Sequence, residues 1–255
     1  MGLEYAPLGL VGVLTPQANT TVEPEMAIMA PPGLGVLNAR LRSDKPTIPE
    51  RLVEYFDNYD AALAEFANAP LAAVGFACTG ASYLAGVARE DRAVAAMTAR
   101  AGVPVVTAAT AVVDALRALE ARRVALVSPY FEALDVASAA YWQARGFEVA
   151  ARVSAWRETD AFHPIYSLGG GEAAATLERV RDVEVDAVVM LGTGMPTLRP
   201  IAALPRLGRA PVLSCMFCLG WRLISAAQGR APDRAGLEGF LDDPGWRARL
   251  AALPV

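Results

Sequence analysis

Short apolar runs alternate along this chain with longer stretches whose apolar positions recur at helical spacing. The runs at 10–14, 35–41, 71–77, 102–106, 123–127, 147–153, 186–191 and 211–214 have the length and composition of buried strands. Residues 21–30, 46–67, 89–100, 108–121, 132–145, 172–183, 197–207 and 219–228 read as helices. Thr20 or Thr21 is the N-cap signal for the first of these, with Glu23 and Glu25 placed to oppose its dipole, and Gly146 closes the helix at 132–145. Strands separated by helices of about ten residues or more predict an α/β fold built from parallel sheets. The stretch 156–171 is left as a longer loop, the kind of segment that often carries function.

The pattern also repeats. Val11-Gly12-Val13-Leu14-Thr15-Pro16 matches Val124-Ala125-Leu126-Val127-Ser128-Pro129, an apolar strand closed by a hydroxyl residue and proline, 113 residues further on. From Pro16 to Cys78 is 62 residues, and from Pro129 to Gly192 is 63. Each of these positions ends an apolar strand and opens a threonine-glycine turn: Cys78-Thr79-Gly80-Ala81 in the first copy, Gly192-Thr193-Gly194-Met195 in the second. Two copies of one unit predict two parallel-sheet domains about a pseudo-two-fold, with the site in the cleft between them. The expected division is 1–115 plus 213–255 for the domain carrying Cys78, and 116–212 for the domain carrying Gly192.

Composition narrows the function. The chain is 255 residues long, with a net charge of −4 and no basic stripe, which argues against nucleic acid as a partner. No apolar run is long enough to cross a membrane, and Met1 to Pro7 lacks the pattern of a secretory signal. Cysteine is present in odd number (Cys78, Cys215, Cys218), which points to a reducing cytoplasm rather than a disulfide framework. The single histidine, His163, rules out a multi-histidine zinc site; beside Pro164 in a loop it is expected at the surface. Cys215 and Cys218, inside an apolar stretch, are expected to be structural cysteines at the end of a strand.

Cys78 is the strongest candidate for chemistry. A thiol at the carboxyl end of a parallel strand, followed by turn N–H groups and a helix start, is placed to work beside a bound anion. Those N–H groups are expected to lower its pKa from about 8.5. The bland alternative is a buried small apolar residue. In the same bland reading Asn19 serves only as a local cap, and Tyr130 as filling.

These residues together resemble the aspartate/glutamate racemase superfamily, and within it the branch of maleate cis-trans isomerases and arylmalonate decarboxylases. The resemblance spans nearly the whole chain. It rests on Pro16-Gln17-Ala18-Asn19-Thr20-Thr21, on Cys78-Thr79-Gly80, on Ser128-Pro129-Tyr130, and on Gly192-Thr193-Gly194-Met195-Pro196. It implies two Rossmann-like domains, no cofactor, a small carboxylic or dicarboxylic acid as substrate, and a homodimer or larger assembly. The family's racemases and isomerases carry two cysteines, one on each face, and its decarboxylases carry one at the second position. This chain has one at the first position, with Gly192 at the second, and Thr159-Asp160-Ala161-Phe162 stands where the isomerases' second asparagine is expected. A single thiol suits a reaction that returns one proton to carbon. The leading expectation is therefore a cofactor-independent decarboxylase of a malonate-type diacid, with Cys78 as proton donor to an enediolate. Thr79, Tyr130, Thr193 and the N–H groups of Gly80, Ala81 and Gly194 are the expected oxyanion donors, Pro16 and Asn19 line the substrate, and Met195 supplies an apolar wall. The alternatives are a maleate-type isomerase with Cys78 as nucleophile, a racemase, and a non-catalytic carboxylate-binding protein.

Overall fold

The computed structural model describes residues 3–159 and 163–254. The first sheet is formed by β1 (Gly9–Pro16), β2 (Leu34–Leu41), β3 (Ala73–Phe76) and β4 (Val105–Thr107), all parallel, in the order β2-β1-β3-β4. The second contains β5 (Arg123–Ser128), β6 (Glu148–Ser154), β7 (Ala187–Met190), the short β8 (Arg206–Leu207) and β9 (Ala210–Ser214), in the order β6-β5-β7-β9-β8. Only β8 runs antiparallel. The first four strands of this order repeat the connectivity of the first sheet, so the duplication legible in the sequence is also present in the topology. Strands β3 and β7 are buried along their whole length, as expected of parallel strands covered on both faces.

Helices α1 (Val22–Met29), α2 (Ile48–Asp57), α3 (Tyr59–Ala64), α4 (Thr79–Ala85), α5 (Val87–Ala101) and α6 (Ala108–Ala118) accompany the first sheet in sequence. With the second come α7 (Glu132–Ala144), a short 3-10 turn (Pro164–Ser167), α8 (Gly170–Glu178), α9 (Leu198–Ala203), α10 (Cys215–Ala227), α11 (Arg234–Leu241) and α12 (Pro244–Ala251).

Several boundaries differ from the sequence reading, each for a local reason. The helix expected over 46–67 starts at a Thr47–Glu50 capping box and breaks at Asn58, whose φ of −109° and ψ of 14° leave the helical region. The segment after Cys78 is already helical as α4, then stops at Gly86 (φ +75°), and α5 restarts the chain in a new direction. The helix expected over 197–207 ends at Ala203, because Arg206 and Leu207 pair with β9 instead. The expected domain boundary at 213 falls inside β9, so Leu213 and Ser214 belong to the second sheet. Cys215 and Cys218 do not end a strand. They occupy the first turn of α10, which Ser214 caps by accepting from the Phe217 N–H at 3.0 Å.

Helix α10 is apolar on nearly every side, and its surroundings explain why: it packs on β1, β3 and β4 of the first sheet and on α6. Gly75 of β3 makes room for it, since a Cβ there would stand 2.9 Å from the Leu223 side chain. Two buried carboxylates join the halves. Glu25 of α1 accepts from the N–H groups of Thr197 (2.6 Å) and Leu198 (3.1 Å), capping α9 from outside; burial pushes its pKa from 4.5 to about 7, against those hydrogen bonds. Glu90 of α5 accepts from Thr107 at 2.6 Å and Arg145 at 2.7 Å, and also from the Tyr141 hydroxyl.

Candidate active site

The carboxyl ends of β1, β3, β5 and β7 converge on one pocket of about 50 Å³. Its wall includes Pro16 and Asn19 after β1, Cys78, Thr79 and Gly80 after β3, Tyr130 after β5, and Gly192, Thr193 and Gly194 after β7. Cys78 and Gly192 thus share one pocket, as the repeat predicted. Of the expected site residues, Ala81 and Met195 are buried but do not line the cavity; Ala81 contributes through its backbone, and Met195 is packed into the core.

Cys78 is the residue before α4, and its thiol accepts hydrogen bonds from the N–H groups of Ala81 and Gly80. Burial nevertheless prevails over those donors and pushes the thiol up to about 12. The turn N–H groups do act to lower this pKa, as expected, but burial outweighs them and keeps the thiol protonated at neutral pH. Beside it, the Thr79 and Tyr130 hydroxyls lie 3.0 Å apart. The phenol is fixed by the Tyr83 ring, edge-on at 5.9 Å between centroids, and by the Ser154 hydroxyl, which donates to the Tyr130 carbonyl at 2.7 Å. Burial holds the Tyr130 pKa well above its ordinary value, so this group is a donor and not a base.

The two turns are tied to each other. Asn19 Oδ1 accepts from the Thr21 (2.8 Å) and Val22 (3.1 Å) N–H groups, which makes Asn19, rather than either threonine side chain, the residue that caps α1. Its Nδ2 donates to Thr193 Oγ1 at 3.3 Å, and Thr193 Oγ1 donates to the Ala77 carbonyl at 2.8 Å. The Thr21 hydroxyl donates to the Gly194 carbonyl at 2.9 Å. The β7 turn is thus held against the β1 and β3 turns by three side-chain hydrogen bonds. Gly192 sits at φ +82°, in the left-handed region.

Several pocket residues had no sequence signal. Ile48, Arg51, Leu52 and Tyr55 reach it from α2, and His163, Ile165 and Tyr166 close it from the other side. His163, expected at the surface, lines the pocket and stacks on Tyr166 with centroids 3.9 Å apart; burial and then the nearby Arg51 charge lower its pKa to about 4. Tyr166 covers Gly194 so closely that a side chain there would strike its ring. Cys215 was also missed. Its thiol, outside the pocket lining, neighbours the Gly192 N–H and the Thr79 hydroxyl, and burial raises it to about 12. The expected asparagine counterpart at 159–162 falls at Asp160, Ala161 and Phe162 outside the described residues.

The fold and its cleft are those of the two-domain α/β enzymes that include maleate isomerases and arylmalonate decarboxylases. The chain belongs to the arylmalonate decarboxylase family, whose sequence model matches residues 11–237. It is 31% identical to the maleate isomerase of Nocardia farcinica, over 80% of this chain and 84% of that one. It is 27% identical to the arylmalonate decarboxylase of Bordetella bronchiseptica, over 89% and 99%. Among solved structures it resembles a Cys-to-Ser mutant of the Nocardia farcinica maleate cis-trans isomerase holding a covalently bound succinylcysteine intermediate (TM-score 0.74, 26% identity, 90% of this chain and 98% of that one). The protein is an enzyme of this family, within its range of lyase and isomerase chemistry.

Proposed function

We propose that this enzyme decarboxylates a small malonate-type diacid, with Cys78 as the acid that protonates carbon. The observation that carries the reading is that Cys78 is the one thiol among the described residues lining the pocket, with Gly192 in the same wall. The bond between the α-carbon and one carboxylate breaks, carbon dioxide leaves, and the electron pair passes into an enediolate. The retained carboxylate sits among the Thr79 and Tyr130 hydroxyls and the turn N–H groups, donors that bind the enediolate's two oxygens more strongly as charge collects there. Cys78 then transfers its proton to carbon from one face. Its thiolate is left beside the Gly80 and Ala81 N–H groups and regains a proton from water. An acid with a pKa near 12 suits this step, because an enediolate is basic enough to take the proton and no second base is needed. Ile48, Leu52, Leu134 and Ile165 give the pocket apolar wall, and a carboxylate set against it is favoured to leave as neutral carbon dioxide.

A cis-trans isomerase reading is favoured by the isomerase relatives and by the succinylcysteine intermediate in one of them. It needs Cys78 as a thiolate that adds to a double bond, allows rotation and departs. Proton NMR in D2O on maleate and on a series of substituted malonates, with Cys78→Ala as control, separates the two. Deuterium placed on the product carbon of a malonate, and lost in the variant, supports the decarboxylase. Cys78-dependent fumarate from maleate, without turnover of any malonate, overturns it.

A further inference from the structure

The pocket wall carries a positive charge that no carboxylate among the described residues pairs with. Among the described residues lining it, none is a carboxylate, and the only ionisable nitrogens belong to Arg51 and His163. Many arginines of this protein meet an acidic group, for example Arg40 with Glu23, Arg89 with Asp57, Arg145 with Asp91 and Arg206 with Asp242. Arg51 is different. Its Nε donates to the Lys45 carbonyl at 2.6 Å, which fixes the guanidinium, and among the described residues no carboxylate pairs with it. Its charge is felt by Tyr55, His163 and Tyr166, which places it among the rings that roof the cavity. His163 Nδ1 is shielded from solvent and has no hydrogen-bond partner among the described residues. A shielded nitrogen left without a partner is costly unless a ligand satisfies it.

The position is fixed as well as the charge. Leu52, the next residue on α2, packs so tightly over Gly80 that a Cβ there would stand 2.9 Å from it. This stretch of α2 therefore packs over the start of α4, and Arg51 lines the same cavity as the donors grouped at Thr79 and Tyr130.

We infer that Arg51 and His163 form a second carboxylate subsite, so that the side group of the substrate ends in an anion rather than an aryl ring. This rests on the reading of the pocket as an acid site. A carboxylate there takes the free guanidinium N–H groups in a charge-assisted pair and a further hydrogen bond from His163 in its Nδ1–H tautomer. The two ends of the substrate are then held by different chemistry: neutral hydroxyl and amide donors where charge develops during reaction, and a fixed cation where charge does not change.

Calorimetry with unreactive acids matched in length tests this apart from turnover: butyrate against succinate, and valerate against glutarate. The diacid of each pair is expected to bind at least about ten-fold more tightly. That ratio falls toward one in Arg51→Gln and is partly kept in Arg51→Lys, with unliganded melting curves showing that both variants fold. His163→Phe, which keeps the stack on Tyr166, lowers the ratio by a smaller factor. Equal binding of monoacids and diacids, or a ratio that survives Arg51→Gln, overturns the subsite alone. Binding of neither kind of acid overturns the acid-pocket reading, and the subsite with it.

Discussion

A Cβ placed on Gly192 would stand 2.7 Å from the Pro129 ring. It would also meet the Tyr130 hydroxyl at 3.4 Å, on a backbone whose φ of +82° disfavours any side chain. The glycine that shares the pocket with Cys78 is therefore fitted to its surroundings, and the β5 turn leaves little room there for a thiol side chain. Gly192→Cys is expected to lose about 1–3 kcal/mol of stability through crowding and backbone strain. It should also fail to gain exchange of an α-proton from the second face. Thermal unfolding and deuterium uptake by a product acid check both; a stable variant that racemises its product would show the glycine to be incidental.

Tyr130→Phe removes the hydroxyl that faces Thr79 at 3.0 Å and leaves the ring packed on Tyr83. If this phenol holds developing negative charge, kcat falls by about 10²-fold or more while KM changes little. Steady-state kinetics decide it: an effect on KM alone would assign the residue to ground-state binding.

Glu25 makes stability depend on pH. Burial raises its folded pKa from 4.5 to about 7, so the contribution of its protonated form is fully present below 4.5 and is lost as pH rises through 7. The full shift corresponds to about 3 kcal/mol. The melting temperature is expected to decline from about pH 5 to about pH 8, and Glu25→Gln should flatten that decline. The amide fits, because its oxygen can keep the Thr197 and Leu198 N–H bonds while its nitrogen faces the Thr197 hydroxyl. Melting curves across this range, identical in slope for both proteins, would count against it.

Glu90 is fully buried and joins Thr107, Tyr141 and Arg145. Glu90→Ala leaves the Arg145 charge in a protected place with Asp91 as its remaining partner, at an expected cost of about 3–5 kcal/mol. Urea unfolding of this variant beside Arg145→Ala and the double mutant measures the coupling. Strictly additive losses would mean that the pair does not act together.

The strands and the two turns were legible because each sits at the end of an apolar run and within a repeat; Cys78 and Gly192 could be matched by spacing alone. What packs across the cleft was not legible. Arg51 and Tyr55 lie on a helix whose polar and apolar spacing describes only its own surface, and His163 beside a proline has the local signature of any exposed loop. Glu25 read as an acid opposing its own helix dipole, whereas it caps a helix 172 residues away in sequence. Cys215 looked structural because its neighbours are apolar. Its contact with Gly192 depends on β9 lying next to β7, which no local pattern encodes.

The placement of α10 has a consequence for biosynthesis. The face of the first sheet that meets Leu219 and Leu223 is formed by strands complete at Thr107, yet its cover begins at Cys215. At roughly 5–20 residues per second, a translating ribosome needs on the order of ten seconds to supply that helix. For that interval the nascent first half presents bare apolar sheet, making it a natural client for a holding chaperone, and a fragment cut before α10 is expected to aggregate rather than fold.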